Sequence, residues 1–248
     1  MKILKKIFLV GLATVGIFWF FSLTDTFTLP NVAWLEHHNP VTTAFMDRYK
    51  GAHPLDYQFV SYNQISPHLK QAVVLAEDAL FFSHHGFDFE SIRDALEKNW
   101  KKKKFARGAS TITQQLAKNL YLTPTKSPLR KFKEMLITLQ LERHLSKQRI
   151  LELYLNVVEW GEGIYGAESA AKHYFHKSAS RLSASEAAWL AAILPSPRYF
   201  ALHPQHAVVV RKKSRLLYLM GNAPKGVAPP LEEFEEELPP EAQPVEEF

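Results

Sequence analysis

Residues 127–145 read SPLRKFKEMLITLQLERHL. Ser127 followed by Pro128 is a helix start: a serine side chain can accept a free N–H of the first turn, and proline at the first helical position has no N–H to leave unsatisfied. From there Phe132, Met135, Leu136 and Leu139 recur at the three- and four-residue spacing of one helix face, so the stretch predicts a helix running to about Leu145. Ile137 and Leu141 fall on a second side, which also carries Arg130 and Glu134, four residues apart. A helix buried on two sides belongs inside a helical body, and a charged pair on one of those sides needs a reason. Its ordinary reading is an ion pair worth about 0.2–0.5 kcal/mol.

The same punctuation recurs on either side. Ser66-Pro67 opens a helix with Leu69, Ala72, Val73, Ala76 and Leu80 on its apolar face, expected to close near Ser83 before Gly86. A helix from Ser91 to Trp100 leads into four lysines and a break at Gly108. Thr111 to Leu122 is stopped by Pro124, and Ser146 caps Gln148 to Asn156. Gly161, Gly163 and Gly166 mark a bent loop. Ala167 to Phe175 follows, then a helix opened by the capping box Ser183-Ala184-Ser185-Glu186 and stopped before Pro195, then Ala207 to Met220. No run alternates convincingly as a strand, so the expected fold is mainly α, with at most a short hairpin near residues 25–65. The helical body is expected over residues 66–227.

The chain has 248 residues, 46% hydrophobic and 22% charged, which suits one globular domain with appendages. It has no cysteine, which removes disulfides, thiolate zinc sites and a cysteine nucleophile. All 30 Lys and Arg precede residue 228, against 17 of the 25 acidic residues, leaving a body of about +13 that favours an anionic partner. Residues 228–248 hold eight Glu and five Pro and read as a disordered acidic tail. At the other end, Lys2, Lys5 and Lys6 form a basic flank over residues 1–6. The uncharged run from Ile7 to Thr24 is long enough to span a bilayer, and no Lys or Arg follows until Arg48. This predicts a single anchor at 7–24 with the flank cytoplasmic and the body exported; a cleaved signal peptide is the alternative. Residues 25–65 read as a membrane-proximal stalk. Export makes nucleic acid an unexpected partner, leaving the membrane surface and a phosphate-bearing substrate.

Three clusters can do chemistry. Glu77-Asp78 puts two carboxylates about 100° apart on a helix, so one can face a cleft while the other takes polar partners, and an apolar setting suits a glutamate to base catalysis. The bland reading is a solvated helix end. Ser110, Thr111, Gln114, Gln115, Lys118 and Asn119 sit at a helix opening whose free N–H groups, with Lys118, can hold phosphate oxygens; hydroxyls and amides there are more often only caps. Arg130, Lys131 and Glu134 are the third cluster.

Together the residues resemble one family. Glu77-Asp78-x-x-Phe81-x-x-His84-His85-Gly86-x-Asp88, the run Gly108 to Leu122, Arg130-Lys131-x-x-Glu134, Arg149-Ile150-Leu151-Glu152-x-Tyr154-Leu155-Asn156 through Gly161-x-Gly163-Ile164-Tyr165-Gly166-Ala167, and Ser185-Glu186-Ala187-Ala188-Trp189-Leu190 to Pro197 are similar to the ordered motifs of the peptidoglycan glycosyltransferases, glycosyltransferase family 51, in their monofunctional form. The resemblance covers about residues 60 to 200 and implies a lysozyme-like helical domain. His85 is taken as the matching histidine, with His84 left open beside it. Ser169-x-x-Lys172 and Ser61-x-Asn63 also fit transpeptidase motifs, but in the wrong order and with no Lys-Thr-Gly or Lys-Ser-Gly after them.

The resemblance implies an inverting enzyme of the bacterial inner membrane, acting on its outer side, that polymerises lipid II. Glu77 is then the base for the acceptor hydroxyl, worth roughly 10²- to 10⁴-fold. Lys118, Arg130 and Lys131 grip the diphosphate, and Glu134, the second essential glutamate, organises them. Asp78, Phe81, His85, Ser110, Thr111, Gln114, Gln115 and Asn119 complete the substrate site. No cofactor is required and no metal-ligand spacing is present; a divalent cation, Mg or Mn, on the substrate diphosphate is compatible. The implied partners are lipid II, the growing lipid-linked glycan, the membrane, and cell-wall synthesis or division proteins. Two rivals stay open: a glycan-cleaving enzyme using one glutamate as acid, and a non-catalytic membrane scaffold.

Overall fold

The computed structural model describes Gly11 and residues 29–89, 93, 110–125 and 127–222. The basic flank, the anchor at 7–24, the helix expected from Ser91 to Trp100 and the acidic tail lie outside the described residues, Gly11 and Arg93 apart. Among the described residues no helix is long and apolar enough to cross a membrane. The chain divides into two units, residues 1–31 and 32–248, and every element described belongs to the second.

That unit is mainly helical: α1 (Pro67–Glu77), α2 (Ile112–Tyr121), α3 (Pro128–His144), α4 (Lys147–Val157), α5 (Ala167–Phe175), α6 (Ala184–Ile193), α7 (Pro197–Leu202) and α8 (Ala207–Leu219). Ser66, Thr111, Ser127, Ser146 and Ser183 each accept a first-turn N–H, so α1, α2, α3, α4 and α6 start where the sequence places their caps. Each such cap contributes about 1 kcal/mol. α6 buries Ala187, Ala188, Leu190, Ala191, Ala192 and Ile193, and packs against both α1 and α8. Its small residues let both neighbours approach closely. α2 packs against α3 and α4, bringing Ile112, Leu116, Leu141 and Leu153 into a fully buried core.

Four expectations are corrected. The first is the glycine loop, which is a hairpin: β2 (Glu159–Gly161) pairs antiparallel with β3 (Ile164–Tyr165), and β1 (Asp56–Tyr57) adds in parallel to the other edge of β3. Strands of two or three residues are too short to show alternation. Gly163 and Gly166 have φ of +73° and +87°, and a side chain at Gly166 would also put its Cβ 2.6 Å from the Asn156 carbonyl oxygen.

Secondly, residues 32–65 do carry short 3-10 turns, but they are part of the body rather than a stalk. Leu35, Met46 and Ile65 are buried, and the N–H groups of Ala44 and Phe45 donate to the carbonyls of Leu120 and Asn119 at 3.0 and 3.3 Å. Arg149 clamps this segment, donating to the carbonyl oxygens of Leu35 and His38 at 2.8 and 2.7 Å.

Thirdly, α1 ends at Glu77, six residues before the expected end, because Asp78 turns out of the helix at φ −163°. Fourthly, only one side of α3 is buried. Glu134, Ile137, Thr138 and Leu141 face inward, whereas Phe132 is 43% and Leu139 50% exposed, with Met135 exposed beside them. Periodicity located the stripe but says nothing about what covers it. The short α7 was not expected.

Candidate active site

α1, α2 and α4 converge on one carboxylate. Glu77 is the last residue of α1 and is half-buried. Its Oε2 accepts a hydrogen bond from Gln115 Nε2 of α2 at 2.7 Å, and Gln115 Oε1 accepts one from the Tyr154 hydroxyl of α4 at 2.9 Å. Tyr154 is fully buried. Burial holds its phenol well above the usual range, and the negative charges of Glu77 and Asp78 add to that. Tyr154 therefore stays a donor at neutral pH and fixes which way the Gln115 amide points. Among the described residues, Gln115 is the partner that hydrogen-bonds to the Glu77 carboxylate, through Oε2.

Asp78 is adjacent in sequence but serves a different end. Its Oδ2 accepts the Ile112 N–H at the start of α2 at 3.0 Å, and its Oδ1 meets His84 Nε2 at 2.8 Å. A carboxylate at a helix N-terminus is favoured by the unsatisfied N–H groups there. Because Asp78 has left α1, the expected pair of carboxylates on one helix does not form. His84, nine-tenths buried, lies edge-on to the fully buried Phe81, while His85 is exposed. The geometry thus joins His84, and not His85, to the carboxylate turn. Phe81 has no exposed surface; it carries that turn, with Lys147 Nζ 4.5 Å from its ring centroid.

Thr111 and Gln114 form a capping box. The Thr111 hydroxyl also donates to the Gly86 carbonyl at 2.7 Å, tying the turn after Glu77 to the start of α2 a second time. Ser110 is half-buried just before the cap, and Asn119 is buried further along α2. Thr113, which the sequence reading passed over, donates to Glu142 Oε1 at 2.6 Å, and Lys147 Nζ donates to the same oxygen at 2.7 Å.

The second pole of the site is cationic. Glu134, 3% exposed, accepts from Arg130 Nη1 at 2.6 Å on Oε2 and from Lys131 Nζ on Oε1. With both oxygens taken, Glu134 is an organiser of cations rather than a free base. Lys118 makes no ion pair or hydrogen bond with a described residue, and its ammonium lies 5.6 Å from the Phe45 ring centroid. Burial lowers its pKa, with Arg130 and Lys131 adding to the drop and Glu134, then Glu77, opposing it. Lys118 is therefore within electrostatic reach of both carboxylates. Three cations against Glu134 leave a local excess of positive charge, suited to an anion with more than one charge.

Among the described residues no group of three or more His, Asp or Glu side chains is arranged to hold a metal ion. Ser169, of the Ser-x-x-Lys match, is fully buried and donates to Asp56 Oδ1 at 2.9 Å, so it is a structural serine. The sequence reading did not single out Tyr154 for a role, although a tyrosine among the leucines of an amphipathic helix must find a partner for its hydroxyl once buried.

Comparison with known proteins places the chain in a family. A family model described as Transglycosylase matches residues 44–221. The chain is 49% identical over 189 residues to a biosynthetic peptidoglycan transglycosylase of Methylobacillus flagellatus, covering 73% of this chain and 82% of that one. A protein of the same description from Laribacter hongkongensis is 49% identical over 199 residues, 77% of this chain and 87% of its own. One from Janthinobacterium is 44% identical over 230 residues, 90% of this chain and 99% of its own. The matched span runs from the segment ahead of α1 to the end of α8 and takes in both the Glu77 pole and the Glu134 pole: the chain belongs to the transglycosylase family.

Proposed function

We propose that the chain polymerises lipid II into β-1,4-linked glycan strands and releases undecaprenyl diphosphate, with the growing lipid-linked strand as donor and a new lipid II as acceptor. The observation that carries this reading is the two-pole site: a half-buried carboxylate anchored through one oxygen by Gln115, and a cationic pole in which Glu134 holds Arg130 and Lys131 while the buried Lys118 lies within electrostatic reach of both carboxylates.

The chemistry follows from the poles. Glu77 takes the proton of the acceptor 4-hydroxyl as that oxygen bonds to the donor's C1 from the face opposite the diphosphate, inverting α to β. The C1–O bond to the diphosphate breaks, and the electron pair stays on a leaving group that is already an anion. Such a group needs cations more than a proton, and Lys118, Arg130 and Lys131 supply them. The proton on Glu77 passes to solvent before the next turn.

The reading needs no cofactor. A divalent cation, Mg or Mn, would be carried by the diphosphate itself, since the oxygens of Asp78 and Glu134 are already engaged within the chain. No step is routed through it.

The body works at the outer surface of the inner membrane, anchored by residues 7–24. The uncharged run behind Lys2, Lys5 and Lys6 supports this, as do the exposed Phe132, Met135 and Leu139 of α3 and Phe82 and Phe89 of the segment after α1, which suit contact with lipid. Cell-wall synthesis or division proteins are the partners that go with this setting. Purified protein given lipid II alone should yield polymer. Unchanged lipid II would contradict the reading, and shortening of mature glycan would replace it with hydrolysis.

A further inference from the structure

Glu142 lies near the end of α3, outside both poles of the site, with a side chain only 7% exposed. Its Oε1 accepts from two other elements at once: the Thr113 hydroxyl of α2 at 2.6 Å, and Nζ of Lys147, the first residue of α4, at 2.7 Å. Thr113 itself has no exposed surface. A carboxylate taken this far from water is costly unless it is both paired and hydrogen-bonded, and Lys147 and Thr113 meet the two conditions. A hydrogen bond to an ionised acceptor is also stronger than one between neutral groups, so the Thr113 hydroxyl is held firmly.

What that bond holds is the rotation of α2 about its own axis. Successive helical residues are turned by about 100°, so Thr113 and Gln115 point about 200° apart, to nearly opposite sides of the helix. Gln115 faces Glu77 and Thr113 faces α3. Where α2 begins is fixed by two bonds to the turn after Glu77, from the Ile112 N–H to Asp78 Oδ2 and from the Thr111 hydroxyl to the Gly86 carbonyl. A helix tied at its start can still roll. The same glutamate also braces that turn: a Cβ added at Gly86 would stand 3.1 Å from Glu142 Cγ, and Lys147 Nζ lies 4.5 Å from the Phe81 ring centroid.

We propose that Thr113 and Glu142 are positioning residues, whose bond sets the roll of α2 and thereby aims the Gln115 amide at Glu77. This rests on Glu77 being the base and Gln115 aligning it. Side chains end about 5–6 Å from a helix axis, so a roll of about 10° moves the amide by about 1 Å. A displacement of that size in a group that orients the reaction can cost about 10²-fold in rate.

The test is a double-mutant cycle on lipid II in detergent, with wild type, Thr113→Val, Gln115→Ala and the double variant, and with melting curves for each. Valine keeps the shape of threonine and removes the hydroxyl. Thr113→Val should lower kcat about tenfold with KM within about twofold, and Thr113→Ser should regain most of the loss. In the Gln115→Ala background, where no amide remains to be aimed, Thr113→Val should cost less than about twofold in kcat. An equal loss in both backgrounds overturns the proposal, as does a wild-type kcat in Thr113→Val whatever its melting temperature, or a serine variant as slow as the valine one. Thr113→Ala carries the same comparison if the valine variant melts below the assay temperature. An active Glu77→Gln would overturn the base reading and the proposal with it, whereas a missing coupling beside an inactive Glu77→Gln would overturn the proposal alone.

Discussion

The Gln115 side-chain nitrogen donates to Glu77 Oε2 across 2.7 Å, from a residue 38 positions further along the chain. The bond is directional only because Tyr154 occupies the other end of the amide. Gln115→Ala should therefore lower kcat by roughly 10²-fold through a misplaced base, with little change in KM. Tyr154→Phe removes the donor and leaves the oxygen of the half-buried Gln115 amide unpaired, which should cost about 1 kcal/mol of stability as well as rate. Steady-state kinetics and thermal unfolding on the two variants separate these effects. A Gln115→Ala enzyme with wild-type kcat would show that the amide does not position the base.

The two histidines of the turn differ in the same way. His84 is held against Asp78, which in turn caps the Ile112 N–H, whereas His85 is exposed. His84→Ala should lower the melting temperature and the rate together, and His85→Ala should change both by less than about twofold in rate, as surface substitutions usually do. The reverse ranking would mean that the exposed ring touches substrate.

What the sequence made legible here was local. Ser66, Thr111, Ser127, Ser146 and Ser183 reach N–H groups two or three residues ahead, and those helix starts were readable for that reason. The end of α1 was not, since Asp78 leaves the helix to meet a backbone N–H 34 residues away. The buried side of α3 with Glu134 could be read from its spacing, but the exposure of Phe132 and Leu139 could not, because a period carries no information about neighbours. For the site, the motif run brought Glu77, Gln115, Lys118, Arg130, Lys131 and Glu134 into one hypothesis. It left out Tyr154, whose importance arises only when α4 folds against the helix that carries Gln115.

Lys118 is expected to set the alkaline side of the pH profile. Burial lowers its pKa, so its proton is lost at lower pH than that of an ordinary lysine. Losing it removes a cation from the diphosphate pole, and kcat/KM should fall as pH rises through that range. In Lys118→Arg, whose guanidinium does not deprotonate, the residual activity should no longer fall there. A limb of unchanged position in the arginine variant would assign it to another group.

The exposed face of α3 should matter only where there is lipid. Replacing Phe132, Met135 and Leu139 with Ser should leave turnover in detergent within about twofold and weaken sedimentation with vesicles of anionic phospholipid, since each buried apolar side chain contributes about 1.5–3 kcal/mol. The expectation is checked by co-sedimentation of a protein lacking residues 1–24. Equal binding of the two forms would remove α3 from the membrane contact.

The measurement that bears most directly on the whole account is Glu77→Gln given lipid II alone, with binding of a lipid II analogue followed in parallel. Glutamine keeps the shape of the side chain and cannot take a proton. Polymer formation should be lost while analogue binding stays within a few fold of wild type, because the cations around Glu134 are untouched. Polymer made at the wild-type rate by Glu77→Gln would contradict the account, for it would leave the acceptor hydroxyl with a base other than the one that α1, α2 and α4 converge to hold.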